Sequence, residues 1–196
     1  MRAAGLILAA GESRRMGRAK ALLELDGRSF ARLGVELLLG GGCAEVILVE
    51  GAHDLRARAG ELPATARWVV NERWPLGPLS SIQAGLAALE AEVDALVVHH
   101  VERPRVRPET VRALLDGLAR EPGTCWQPRV DGRSGHPLVW PAAAFGPLAT
   151  LDPRTDTART LLRSPEWSPR RRKLDCDDLG ALDNIDRPED LAALRD

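Results

Sequence analysis

Short apolar runs alternate with stretches of helical apolar spacing along the first two-thirds of the chain. Ala4–Ala10 predicts a first strand, Glu45–Val49 a second, Arg67–Val70 a short third and Ala95–Val101 a fourth. Between them the spacing predicts a helix over Phe30–Leu39, with Ser29 as its N-cap and Gly40-Gly41-Gly42 as its end. A second helix is expected over Ser81–Ala91, capped by Ser80, and a third from Pro108, which suits a first turn, to Arg120. Cys125–Val130 and Leu138–Trp140 read as two more strands joined by the turn Asp131-Gly132, which would add antiparallel pairing to a mainly parallel sheet. Past Pro141 the pattern is legible only at a final helix, Pro188–Leu194. Strand and helix in alternation are the mark of βαβ units, so the expected class is α/β, with one domain over residues 1–196.

Composition narrows the function classes. A formal net charge of −1 argues against a general nucleic-acid binder, which would carry a basic excess on one face. Cys43, Cys125 and Cys176 are odd in number, far apart and contain no CxxC, so neither a disulfide framework nor a zinc ribbon is expected and a reducing cytoplasm fits. No apolar run approaches the ~18 residues of a membrane span. With no charged leader ahead of a small-residue cleavage site, Met1 is expected to begin the folded domain.

In an open sheet of this kind ligands collect beyond the carboxyl ends of the strands. The first strand runs into Gly11-Glu12-Ser13-Arg14-Arg15-Met16-Gly17-Arg18-Ala19-Lys20, which reads as a phosphate-binding loop. Its two glycines free the backbone to turn N–H groups toward an anion, Ser13 offers a hydroxyl, and Arg15 and Lys20 supply positive charge. The Gly11-to-Lys20 spacing is too long for a Walker A motif, and Ala21 stands where a Ser or Thr would follow the lysine. Only two of the 27 basic residues are lysine, Lys20 and Lys173. A lysine kept in so arginine-rich a chain points to a use for its compact, rotatable charge, here a nucleoside triphosphate. The fourth strand departs from the continuous apolar pattern of a buried strand, reading Val97-Val98-His99-His100-Val101-Glu102-Arg103-Pro104, with His100 and Glu102 on one side. Arg170-Arg171-Arg172-Lys173 reads as a solvated charge cluster, with contact to an anionic acceptor as its alternative.

Residues 8–20, Leu-Ala-Ala-Gly-Glu-Ser-Arg-Arg-Met-Gly-Arg-Ala-Lys, resemble the LAAGxSxRMGxxK signature of the MobA/MocA-like nucleotidyltransferases. The likeness extends in order along nearly the whole chain, through Asn71, Gly77, Ser80 and Ser81, through Gly135-His136-Pro137, and through Asn184-Ile185-Asp186-Arg187-Pro188-Glu189-Asp190. It implies a three-layer αβα, Rossmann-like nucleotidyltransferase (GT-A-like) fold with a mainly parallel mixed sheet. It implies transfer of a nucleoside monophosphate from CTP or GTP to a phosphorylated small-molecule acceptor, such as molybdopterin, with Mg²⁺ as cofactor and release of pyrophosphate. The protein would act as a monomer or weak homo-oligomer, with no nucleic-acid or membrane partner. By the same likeness Leu8, Ala9, Ala10, Gly11, Ser13, Gly17, Lys20, Asn71, Gly77, Ser80 and Ser81 bind the nucleotide. Arg15, Lys20 and Glu102 are catalytic, Glu102 and Asn184 hold the metal, and His136 lies by the acceptor. Ser80-Ser81 favours CTP.

Glu102 stands where relatives place an aspartate in a DxP pattern, and its extra methylene moves the carboxylate about 1.5 Å outward. Two other readings therefore stay open. One is a nucleotide-binding regulatory protein of the same fold without productive metal geometry. The other is a metal-binding protein that uses His99, His100 and Glu102, or recruits His136 to His100 and Glu102.

Overall fold

The computed structural model describes residues 1–194. Its strands are β1 (Ala3–Leu8), β2 (Glu24–Leu25), β3 (Arg28–Ser29), β4 (Glu45–Glu50), β5 (Ala66–Val70), β6 (Ala95–His100), β7 (Cys125–Val130), β8 (Arg133–Ser134), β9 (Leu138–Pro141) and β10 (Arg171–Asp175). Its helices are α1 (Phe30–Gly40), α2 (Pro78–Ala87), α3 (Pro108–Arg120), α4 (Phe145–Thr150), α5 (Ala158–Arg163) and α6 (Pro188–Ala192). One sheet runs in the order β10-β7-β9-β6-β1-β4-β5, with β8 paired to β7, while β2 and β3 form a separate hairpin. The β1–β4, β1–β6, β4–β5 and β7–β10 pairs are parallel; β9 runs antiparallel to both β6 and β7.

Each central strand contributes alternate residues to two cores, as the period of two requires. Ile7, Val46, Val97 and Val139 face one side, where Val35 and Leu38 of α1 and Leu114 and Leu118 of α3 pack. Leu6, Ile47, Leu96 and Trp140 face the other, against Leu79 and Ile82 of α2, Leu148 of α4 and Leu161 and Leu162 of α5. This is the expected three-layer α/β architecture. It leaves the ends of β1, β4 and β6 pointing the same way, toward the loops that follow them.

Several local expectations are corrected. Helix α2 covers Pro78–Ala87, not Ser81–Ala91, and its N-cap is Gly77. Ser80 lies inside the first turn, its hydroxyl 2.8 Å from the Gly77 carbonyl oxygen, because Pro78 already suits N1. The turn at Asp131-Gly132 has positive φ at both residues, 49° and 76°, but it returns the chain into β8 rather than β9. The principal partner of β9 is β6. The polar run at 170–173 is largely an edge strand: β10 pairs Arg171–Asp175 with Cys125–Arg129. Its alternating exposed and half-buried positions lack an apolar face that would mark a strand in sequence. The final helix stops at Ala192. Helices α4 and α5 are six residues each, too short to show a helical period, and α5 is instead marked by a Thr157–Thr160 capping box.

Candidate functional site

A cleft of about 370 Å³ opens where β1 and β6 end, lined by Leu8, Ala9 and Ala10, the loop after them, Trp74, Gly77, Ser81, Glu102 and Asp186. Backbone bonds tie its floor to the neighbouring strand ends: Val101 N donates to Leu8 O, Ala9 N to Val49 O and Ala52 N to Ala10 O, at 3.0–3.3 Å.

The loop is held by its apolar residues and presents its polar ones. Met16 and Ala19 are buried, while Gly11, Arg14, Arg15 and Gly17 are exposed. Ser13 and Gly17 take left-handed backbone angles, φ 55° and 73°, on either side of one 3₁₀ turn, Arg14–Met16. Ser13 Oγ accepts from Lys20 N at 3.1 Å, closing the loop on itself. Gly11, Ser13, Arg15 and Lys20 line the cleft; Gly17 shapes the loop and does not line it.

The Lys20 ammonium pairs with Asp186 Oδ1, and Arg15 Nη2 donates to Asp186 Oδ2 at 2.9 Å. Asn184 Nδ2 also donates to Asp186 Oδ2, at 2.6 Å. Burial would raise the Asp186 carboxyl, but Lys20, Arg15 and the Asn184 amide outweigh it and hold the group below its ordinary value. Asp186, absent from the residues expected from sequence, therefore lines the cleft where Asn184 was expected to act, and Asn184 is exposed beside it. Strand-like alternation about buried Ile185 puts 184 and 186 on one side, and the sequence holds no signal that ranks them.

Ile185 N donates to Glu102 O at 3.1 Å, which brings this C-terminal segment against the end of β6. The Glu102 carboxylate is half-buried, 3.4 Å from His100 Nδ1. Burial acts to raise its pKa, but the His100 hydrogen bond and charge and the Lys20 ammonium lower it to about 2, so Glu102 is ionised. Two ionised carboxylates thus face one cleft beside the loop. That donor set fits a hard divalent cation, which takes one or two carboxylates and completes its shell with water and phosphate oxygens.

The histidines do not assemble a site of their own. His99 points to the opposite side of β6, buried against α1 at Gly34. The His100 and His136 rings meet edge to face at 4.4 Å, and among the described residues no group of three or more His, Cys, Asp or Glu is placed to hold a metal. His136 sits on a loop with a cis His136–Pro137 peptide. That loop is pressed so closely on Ala181 that a Cβ at Gly135 would lie 2.5 Å from its carbonyl oxygen.

The segment after β5 is braced from within. Buried Asn71 donates through Nδ2 to Ser80 Oγ at 2.9 Å and Ser81 Oγ at 3.0 Å, and its Oδ1 accepts from Arg73 N at 2.9 Å. Gly77, at φ 92°, makes a turn that other residues enter with strain, and it faces the cleft with Ser81 and Trp74. Asn71 and Ser80 stand behind this wall.

The model of the MobA-like NTP transferase domain matches residues 5–172. A nicotine blue oxidoreductase of Paenarthrobacter nicotinovorans is 34% identical over 97% of this chain and 95% of its own. A molybdenum cofactor guanylyltransferase of Cereibacter sphaeroides is 37% identical over 98% and 95%. The crystal structure of Rv0371c from Mycobacterium tuberculosis H37Rv superposes with a TM-score of 0.80 at 26% identity, covering 99% and 97% of the two chains. A complex of Rv0371c with manganese superposes at 0.76 and 25%, covering 99% and 98%. A family match over most of the chain, with curated relatives above 30% identity along nearly its full length, places this protein in the MobA-like NTP transferase family.

Proposed function

We propose that this chain transfers a nucleoside monophosphate from CTP or GTP to a phosphorylated small-molecule acceptor. The observation that carries the reading is the meeting, in one cleft, of the 11–20 loop, Lys20 and the carboxylates of Glu102 and Asp186. An acceptor phosphate oxygen forms a bond to the α-phosphorus of the triphosphate. The bond from that phosphorus to the oxygen bridging it to the β-phosphorus breaks, and pyrophosphate leaves with that oxygen. Such a transfer asks for positioning and charge stabilisation more than for covalent chemistry by the protein.

In this reading Leu8, Ala9 and Ala10, with Gly77 and Ser81, receive the nucleoside, and Asn71 and Ser80 keep that wall in shape. The backbone of Gly11–Gly17 and the Ser13 hydroxyl receive the phosphates. Lys20 and Arg15 offset charge developing on the leaving pyrophosphate. Glu102 and Asp186 would hold Mg²⁺ or a similar divalent ion, with the exposed Asn184 amide fixing Asp186; the ion would supply charge neutralisation on the phosphate oxygens. Glu102 is ionised and faces the cleft, which supports a working transferase with glutamate in the aspartate position. His136 would stand at the acceptor side.

The test is a tryptophan-fluorescence titration with CTP, GTP, ATP and UTP, with and without Mg²⁺, followed by assay of pyrophosphate release, since Trp74 lines the cleft. Saturable binding of one nucleotide, enhanced by Mg²⁺, and pyrophosphate release with phosphorylated acceptors support the reading. Binding indifferent to Mg²⁺ with no release favours the regulatory alternative, and absence of binding removes both. One relative bears a redox name, so release of pyrophosphate, and not nucleotide binding alone, decides the reaction class.

A further inference from the structure

A second cleft, of about 300 Å³, lies on the α5 side of β7 and β9. Its polar lining is Gln127, Ser134, His136, Arg159, Arg163 and Arg171, with no carboxylate among the residues that line it. Arg159 and Arg163 are one helical turn apart on α5, so both project from the same face. Arg171 opens β10, paired in register with Cys125 of β7. Most of the arginines that flank this region have partners. Arg170 lies over the Trp167 ring at 5.0 Å and 3.7 Å from Glu166, Arg172 pairs with Glu121 at 2.7 Å, and Arg129 pairs with Asp175. The guanidinium groups of Arg159, Arg163 and Arg171 make no ion pair or hydrogen bond among the described residues. Three unpaired guanidiniums converging on one concavity leave a local positive field that an anion would neutralise, and the planar fork of arginine matches phosphate and carboxylate oxygens bidentately.

The cleft adjoins the reaction cleft across the histidine pair. His136 lines the arginine side, His100 lines the reaction side, and their rings touch at 4.4 Å. We infer that this groove binds a polyanionic small molecule on Arg159, Arg163 and Arg171, and that this molecule is the acceptor of the transfer. The acceptor then carries at least two anionic groups. One reaches past His136 toward Glu102, and another rests on the arginines at the far end of the groove. The acceptor role rests on the transferase reading; the anion site does not, because it involves no residue of the nucleotide loop.

Phosphoglycolate, a phosphate and a carboxylate on two carbons, is the probe. It is titrated calorimetrically into the wild-type chain, into the triple variant Arg159→Gln, Arg163→Gln, Arg171→Gln, and into Lys20→Ala. The expected result is saturable binding that weakens by roughly 1000-fold in the triple variant, since each hydrogen bond to a charged group is worth about tenfold. It persists in Lys20→Ala and in the presence of saturating nucleotide. Each substituted arginine is exposed and glutamine keeps most of its stem, so the triple variant should melt with the wild type and still bind nucleotide. Loss of probe binding in Lys20→Ala with retention in the triple variant would place the anion in the reaction cleft and overturn the site. No binding to the wild type would make the three arginines solvated surface charge. Binding on the arginines that excludes nucleotide would overturn the acceptor role while the anion site stands.

Discussion

The two clefts that meet at the His100–His136 pair both collect cations, but they treat them oppositely. In the reaction cleft Lys20 and Arg15 share the Asp186 carboxylate, so their charge is partly offset within the protein. In the groove behind it three arginines have no counter-ion among the described residues. Internal pairing gives precision: a cation already fixed costs little to orient, but a ligand gains from it only by displacing or sharing Asp186, a task suited to a metal-bearing triphosphate. Unpaired arginines give reach and tolerance, at the cost of discrimination among anions. Under the proposed transfer, a donor site that must present one phosphorus in line, and an acceptor site that must seat the rest of a charged molecule, call for these different arrangements.

The largest expected effect comes from removing the paired lysine. Lys20→Ala should weaken nucleotide binding by about 100-fold in fluorescence titration, through loss of a charge-assisted contact to phosphate. A change of less than threefold would mean that Lys20 only balances Asp186. Next, Asp186→Asn should reduce the Mg²⁺ enhancement of binding by roughly tenfold, while Asn184→Ala should cost about threefold or less, since it only releases a hydrogen bond to Asp186. The reverse order would return the metal role to Asn184. Ionic strength separates the clefts more gently. Between about 50 mM and 300 mM salt the phosphoglycolate affinity should fall several-fold, and nucleotide affinity at saturating Mg²⁺ should fall less, because exposed unpaired charges are screened more than half-buried ones. Equal slopes by calorimetry would erase the distinction.

The smallest effect concerns the floor of the reaction cleft. Burial first, then the charge of His100, lower the His99 pKa from 6.5 to about 3; Glu102 acts to raise it and Arg103, least of the four, to lower it. Between those values the unfolded chain binds a proton that the folded chain does not, so stability is lost as pH falls through that window. The melting temperature should drop by several degrees from about pH 7.5 to about pH 5, and the drop should be shallower in His99→Leu. His99 Nδ1 is buried without a partner, so leucine forfeits no hydrogen bond there. Parallel pH profiles for the two chains would show that His99 is not responsible.

Four expected elements occupy their places because each has a strong local cause: continuous apolar runs at β1, β4 and β6, and a Ser29 hydroxyl that accepts from Arg32 N at 3.2 Å to start α1. The weaker elements have no such cause. Nothing in Arg171–Asp175 favours a strand except the edge of β7 lying open beside it, and α4 and α5 exist because they cover Trp140 and Trp167. In the candidate site, the loop glycines and Lys20 are legible because backbone freedom and charge type are properties of single residues. Asp186 is not, because its importance lies in which side chains, 166 positions away in the chain, it meets.

By itself the sequence determined the α/β class, the order of the main strands along the chain and the residue types that the loop after β1 carries, all of which depend on neighbours within a few residues. Only the tertiary structure decided that Asp186 and not Asn184 faces the cleft, that Ser80 braces Asn71 instead of capping a helix, and that Arg159, Arg163 and Arg171 share one groove. Those facts depend on how distant strands and short helices stack, and a charge or hydroxyl carries no local mark of the partner that packing will bring to it.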